Sequence, residues 1–122
     1  MPRTDIVIYK DRSGEAPLLK WMDRLPRKVQ NKWTQRFAVL REFGCELRRP
    51  ICDYLRNEIY ELRVKRGKVN YRVLYSFVGQ NIVLLSHGCS KEKEVPASEI
   101  DRAVYYRENY LSDPRAHTYV QE

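Results

Sequence analysis

The chain has 122 residues, of which 43% are hydrophobic, and its 23 Lys and Arg against 16 Asp and Glu give a net charge of +7. This length allows one domain with a single modest core, and the apolar fraction excludes a disordered chain. The basic excess favours a polyanionic partner, above all nucleic acid, although an acidic protein would respond to the same field. No apolar run approaches membrane-spanning length, and the first ten residues lack a signal-peptide core, so we expect a cytoplasmic protein.

The first half of the chain predicts one strand and two helices. Residues 5–9 form a β-branched run typical of a strand, and residues 15–25 predict a short helix. Pro26 then opens a second helix that ends at Gly44. Apolar residues recur along it at spacings of four, four, three and three, which predicts one face packed in the core: Val29, Trp33, Phe37, Leu40 and Phe43.

The second half predicts a loop over residues 45–54, three strands and a last helix. We place the strands at about 58–65, 69–78 and 81–87, and the helix from Pro96 or Ser98 to Leu111. The tail from about residue 112 has no clear period and is predicted to be mobile. The order β-α-α-β-β-β-α predicts an α+β fold in a single domain of residues 1–122: an antiparallel sheet with a two-helix hairpin on one face and a C-terminal helix.

The three cysteines, Cys45, Cys52 and Cys89, are odd in number and irregularly spaced. That pattern favours reduced thiols over a disulfide framework. It is also a poor match to a structural zinc site, which needs four ligands.

Two glycine-led turns predict how the strands align. A two-residue turn of Gly67 and Lys68 sets Arg63 opposite Arg72, and a similar turn that begins at Gly79 sets Arg72 opposite His87. The three cationic side chains would then form one row across the sheet, with Val83 and Leu85 on the same face, under the last helix.

Like charges directly opposite each other are unfavourable on a sheet unless an anion lies between them. The planar guanidinium of arginine matches phosphate in two-point contact, and histidine can move a proton near neutral pH. We therefore predict a site for phosphate transfer on RNA, in which the ribose 2′-hydroxyl attacks the adjacent phosphorus and neither a metal nor another cofactor is required. The predicted catalytic residues are Arg63, Arg72, His87 and Lys91, and the predicted RNA- or phosphate-binding residues are Lys65, Arg66, Lys68, Asn70 and Lys93. The alternative is that Arg63 pairs with Glu61 or another acidic group and only solvates the sheet.

Four short motifs resemble one known family. They are "YELR" at residues 60–63, "YRVLY" at 71–75, "HG" at 87–88 with lysines following, and P-x-x-E-I-x-x-A at 96–103. In this order and spacing they resemble the HigB-like, phage-derived branch of the RelE/ParE toxin superfamily. The first half of the chain is similar to that family only in its strand-helix-helix order.

The resemblance implies the toxin of a type II toxin–antitoxin system, a ribosome-dependent and metal-independent mRNA endoribonuclease held in check by a helix-turn-helix antitoxin. It implies that Arg63 and Arg72 hold the scissile phosphate and that Lys91 and Lys93 contact phosphates. Glu92 and Glu94 interrupt the lysines that relatives carry as a run. The resemblance therefore leaves open a non-catalytic member of the same fold that inhibits a protein target such as DNA gyrase.

Overall fold

The computed structural model describes residues 4–47, 51–90 and 94–120. The elements follow in the order β1 Asp5–Ile8, α1 Pro17–Met22, α2 Arg27–Phe43, a 3-10 turn Gly44–Glu46, β2 Cys52–Arg56, β3 Ile59–Arg66, β4 Val69–Val78, β5 Ile82–Ser90 and α3 Ala97–Ser112. The α+β class and both groups of helices are as predicted from the sequence.

The sheet has five strands in the order β1-β5-β4-β3-β2. The β2–β3, β3–β4 and β4–β5 pairs are antiparallel, whereas β1 lies parallel to β5. The sheet is thus mixed, and the prediction of an antiparallel sheet needs this correction. The first strand joins the edge formed by the last strand, and such a contact between distant parts of the chain leaves no local trace in the sequence.

The sequence predicts a loop over residues 45–54, because charged residues and Pro50 dominate that segment, but the strand β2 begins within it at Cys52. It pairs with β3 through a two-residue turn of Asn57 and Glu58, whose φ angles are 51° and 71°. Positive φ at both central positions defines a type I′ turn, for which Asn is favoured at the first position. The turn residue Asn57 was therefore the available signal for a fourth strand in the second half of the chain.

One face of the sheet packs against α1 and α2. The largest core cluster contains Leu18 of α1, Val29, Trp33 and Leu40 of α2, and the strand residues Leu62, Val64, Val73, Val83 and Leu85. The apolar stripe of α2 is therefore confirmed along most of its length. Its last member, Phe43, is wrongly predicted as core, because it lies at the helix end with 47% of its surface exposed.

The other face of the sheet packs against α3. Ile100 and Ala103 of α3 contact Ile59, Leu74 and Cys89. Tyr110 forms a smaller cluster with Tyr9 and Leu84. After α3, the chain returns to the first strand: Thr118 bridges Tyr9, and the buried His117 stacks on the Tyr9 ring. No helix in the described part of the chain combines the length and apolarity that crossing a membrane requires.

Candidate functional site

Arg63 and Arg72 lie directly opposite each other on β3 and β4. The turn that aligns them has two residues between Arg66 and Val69, and Gly67 takes a φ of 61° at the first of them. Glycine reaches this left-handed region at no steric cost, and that freedom fixes the predicted register. The pairing expected from the sequence is confirmed, with both arginines on the sheet face that α3 covers in part.

A buried carboxylate joins the two arginines. Glu61 is 3% exposed, and its two oxygens lie 2.5 Å from Arg63 Nε and 3.3 Å from Arg72 Nε. Arg63 Nη2 also donates to Asp53 Oδ2 at 3.2 Å. The ion pair between Arg63 and Glu61, which the sequence offered as the alternative to phosphate binding, is therefore present in the structure. The like charges of the two arginines are compensated by acids within the protein.

These side chains border an open cleft of about 410 Å³. We call it the arginine cleft; it is lined by Asp53, Tyr54, Leu55, Arg56, Glu61, Arg63, Arg72, Glu94, Val95 and Ile100. Three arginines and three carboxylates line it, so its formal charge is balanced. Any anion that entered the cleft would therefore meet arginines that already have carboxylate neighbours.

Ion pairing fixes the start of α3 at the edge of the arginine cleft. Arg56 Nη2 donates to Asp101 Oδ1 at 2.8 Å and to the carbonyl oxygen of Ala97 at 3.3 Å. Asp53, Tyr54 and Arg56 all belong to β2, a strand that is not predicted from the sequence. The wall of the cleft that these residues form is therefore not predicted either.

The predicted position of His87 is wrong. The loop after β4 contains one residue more than predicted, because Val78 pairs with Ile82, and Ser86 is an extra residue between the Tyr75–Leu85 and Leu74–His87 pairs. Arg72 therefore faces Cys89, and His87 faces Leu74. One inserted residue turns every following side chain to the other face, and a second restores the face. This explains why Val83 and Leu85 lie in the core with α1 and α2 rather than under α3.

His87 lies beneath α3 and does not line the arginine cleft. Its side chain is 1% exposed, Ser86 Oγ lies 2.8 Å from Nδ1, and Glu99 Oε2 lies 3.7 Å from Nε2. Burial, and then the positive charge of Arg102, lower the pKa of His87 to about 4 despite the nearby carboxylate. A neutral, enclosed imidazole is suited to packing, and it is not placed to carry protons to a substrate held by Arg63 and Arg72.

The other predicted phosphate ligands surround the β3–β4 turn. Lys65 is paired with Asn70, two positions along the strands from the Arg63–Arg72 pair, and therefore lies on the same face of the sheet. Arg66 and Lys68 are exposed at the turn. None of these four lines the arginine cleft, although Lys65 and Asn70 extend its face towards the turn.

Lys91 and Lys93 lie outside the described residues. In sequence they fall between Ser90, the last residue of β5, and Glu94, which lines the arginine cleft. No disulfide joins Cys45, Cys52 and Cys89, all of which lie in the described ranges. Within the described ranges, no group of three or more His, Cys, Asp and Glu residues is arranged to hold a metal ion.

The mixed sheet with helices on both faces is consistent with a RelE-like fold. The sequence profile of the family described as "Phage derived protein Gp49-like (DUF891)" matches residues 20–107. The chain belongs to this Gp49-like family, which is part of the RelE/HigB-like toxin family. Among curated proteins, none matches the sequence.

Proposed function

We propose that this protein is the toxin of a type II toxin–antitoxin system and cuts mRNA on the ribosome. The observation that carries the proposal is the pairing of Arg63 with Arg72 at an open cleft, in a chain of a toxin-related family. A protein that acted only by binding another protein would have no need of two guanidinium groups held side by side by a buried acid.

The proposed reaction is attack by a ribose 2′-hydroxyl on the adjacent phosphorus. The O2′–P bond forms, the P–O5′ bond breaks, and the products are a 2′,3′-cyclic phosphate and a 5′-hydroxyl. Negative charge accumulates on the phosphoryl oxygens in the transition state, and fixed cationic donors stabilise it most when they need no reorganisation. Glu61 holds both guanidinium groups in place, while the more exposed Asp53 is the carboxylate that substrate phosphate would displace from Arg63.

The 2′-hydroxyl must lose a proton during the attack, and we assign the base to Glu94. This residue replaces His87, which lies outside the arginine cleft. Glu94 lines that cleft, is exposed, and has no ion pair with another residue of the described ranges. A carboxylate within reach of the 2′-hydroxyl can accept its proton in the transition state. The 5′ oxygen needs a proton in return, and Lys91 or Lys93 is the proposed donor.

We propose that the natural inhibitor is a helix-turn-helix antitoxin and that the substrate is mRNA bound to the ribosome. Family membership supports an antitoxin partner. The excess of seven positive charges supports a nucleic-acid substrate.

The test compares Arg72→Lys and Arg63→Lys with the wild-type protein. Lysine keeps the charge that neutralises Glu61 but lacks the planar two-point donor. We expect each variant to lower ribosome-dependent mRNA cleavage by about 100-fold or more, with a melting temperature near that of the wild type. Arg115→Lys is the matched control, because Arg115 is exposed and lies beyond the end of α3. This variant should cleave mRNA at the wild-type rate. Cleaved ends would be mapped by sequencing after induced expression.

One observation favours the alternative function, inhibition of a protein target such as DNA gyrase. Arg63 and Arg72 both contact acids of the protein, as structural arginines do. If growth arrest survives in the Arg63→Lys/Arg72→Lys double variant, or if DNA supercoiling changes while mRNA stays intact, the nuclease proposal fails and the alternative is supported.

A further inference from the structure

Among the described residues, the largest concentration of basic side chains without an ion pair lies away from the arginine cleft, on α2. This helix carries one acidic residue, Glu42, and five basic residues: Arg27, Lys28, Lys32, Arg36 and Arg41. All five are exposed or half-buried. In the described parts of the chain, no carboxylate lies within ion-pair distance of any of them.

The basic residues of α2 continue onto the β3–β4 turn. Lys32 Nζ donates to the carbonyl oxygen of Lys65 at 3.4 Å, which places the helix beside the turn. Arg66 and Lys68 are exposed there, and the described residues offer them no ion pair either. The Lys65 side chain lies on the opposite face of the sheet, with Arg63 and Arg72. We call the five basic residues of α2 together with Arg66 and Lys68 the basic surface. It carries seven positive charges, whereas the charges of the arginine cleft are balanced.

We infer that the basic surface binds the phosphate backbone of double-helical RNA. This inference rests on the proposed function, since it names a second RNA partner for the toxin; the ribosome supplies such duplexes in its own RNA. Lys28, Lys32 and Arg36 are four residues apart on one side of α2, so that their Cα atoms rise in steps of about 6 Å along the helix. A row of cations of this kind neutralises successive phosphates and releases their counterions.

The exposed residues of the basic surface favour RNA over an acidic protein as its partner. Between Arg27 and Arg41, the exposed residues of α2 that are not basic are Asn31, Thr34, Gln35 and Ala38. Protein interfaces need buried aromatic or large apolar anchors at their centre, and this part of α2 exposes none. Contacts to phosphates need no such anchors.

The lack of exposed aromatic side chains along this row also favours duplex RNA over single-stranded RNA as the ligand. Single strands bind where bases can stack on exposed aromatic rings. The exposed aromatic side chains among the described residues are Phe43 at the end of α2, Tyr54 in the arginine cleft and Tyr105 on α3, so none lies within the row of Lys28, Lys32 and Arg36. Duplex RNA is recognised by its shape and phosphates, which this row can contact.

The test measures binding of the full chain to a 20-base-pair RNA duplex, to the single strand and to a DNA duplex of the same sequence, over a range of salt concentrations. We expect the RNA duplex to bind more tightly than the single strand and at least as tightly as the DNA. The double variant Lys28→Gln/Lys32→Gln should bind the RNA duplex more weakly, with a salt slope that is smaller by about two.

The matched control is Arg12→Gln/Arg115→Gln, which loses the same charge from exposed positions near the C-terminal tail. It should bind like the wild type. The inference is overturned if the two double variants weaken binding equally, if neither does, or if the single strand or the DNA binds more tightly than the RNA duplex. It is also overturned if the α2 variant keeps its RNA affinity but loses affinity for the antitoxin.

The two proposals fail in different ways. If the wild-type protein does not cleave mRNA but binds duplex RNA through α2, the proposed nuclease function fails and this inference stands. If ribosome-dependent cleavage occurs and Lys28→Gln/Lys32→Gln binds RNA normally, the inference fails and the nuclease proposal stands.

Discussion

The arginine cleft and the buried side chain of His87 lie on the same face of the sheet, and α3 borders both, yet their chemistry is opposite. The cleft is open and holds ionised pairs around Glu61. The His87 imidazole is enclosed, neutral and 1% exposed. The comparison teaches that a shared sheet face does not make a shared site, because the overlying helix decides which side chains meet solvent.

The largest expected effect is the loss of stability on removing Glu61, the buried carboxylate that contacts both Arg63 and Arg72. Glu61→Ala removes the carboxylate that lies 3.3 Å from Arg72 Nε, and the Arg72 side chain is only 11% exposed. We expect the free energy of unfolding in urea to fall by about 3–5 kcal/mol, since removing one member of a buried pair leaves an uncompensated charge.

The control for Glu61→Ala is Asp101→Ala, which breaks the pair with Arg56 at 2.8 Å. The Asp101 side chain is 68% exposed, so the loss should stay below about 1 kcal/mol. Equal losses in the two variants would mean that Glu61 does not hold the cleft together.

The second-largest expected effect is on the rate of mRNA cleavage and concerns Glu94. If Glu94 accepts the proton of the 2′-hydroxyl, Glu94→Gln should slow ribosome-dependent cleavage by about 100-fold, the lower end of the range for general-base removal. The matched control is Glu108→Gln, an exposed position on α3 outside the arginine cleft. A cleavage rate for Glu94→Gln that equals that of Glu108→Gln would remove Glu94 from the mechanism.

The smallest effect concerns His87 and depends on pH. Its pKa is about 4 in the folded chain and about 6.5 when unfolded. As the pH falls below 6.5, the unfolded chain gains a proton that the folded chain does not take up, so the fold loses stability until the pH reaches about 4. From pH 7.5 to pH 5 the expected loss is about 2 kcal/mol.

His87→Gln should remove most of this pH dependence, measured as urea unfolding at both pH values. It should cut mRNA nearly as fast as the wild type, which would show that His87 takes no part in the chemistry of the arginine cleft. A variant that keeps the full pH dependence, or one that folds but loses cleavage, would contradict this expectation.

Much of the fold was predictable because its signals are local. The stripe of Val29, Trp33 and Leu40 placed α2, and Gly67 fixed the pairing of Arg63 with Arg72. The strand β2 was missed because Asn57 and Glu58 form the turn without glycine, in a segment that charge and Pro50 make resemble a loop. The position of His87 was missed because the longer loop and the extra residue at Ser86 shift the strand without a distinctive residue.

By itself, the sequence determined the excess of positive charge, which follows from composition. It also determined the helices, the α+β class and the cross-strand arginine pair, which depend on residues close together in the chain. Only the tertiary structure decided that β1 closes the sheet beside β5, that Glu61 and Asp53 neutralise the arginines, and that α3 encloses His87. These depend on strand register and on contacts between distant segments. A shift of one residue there reverses which face a side chain occupies.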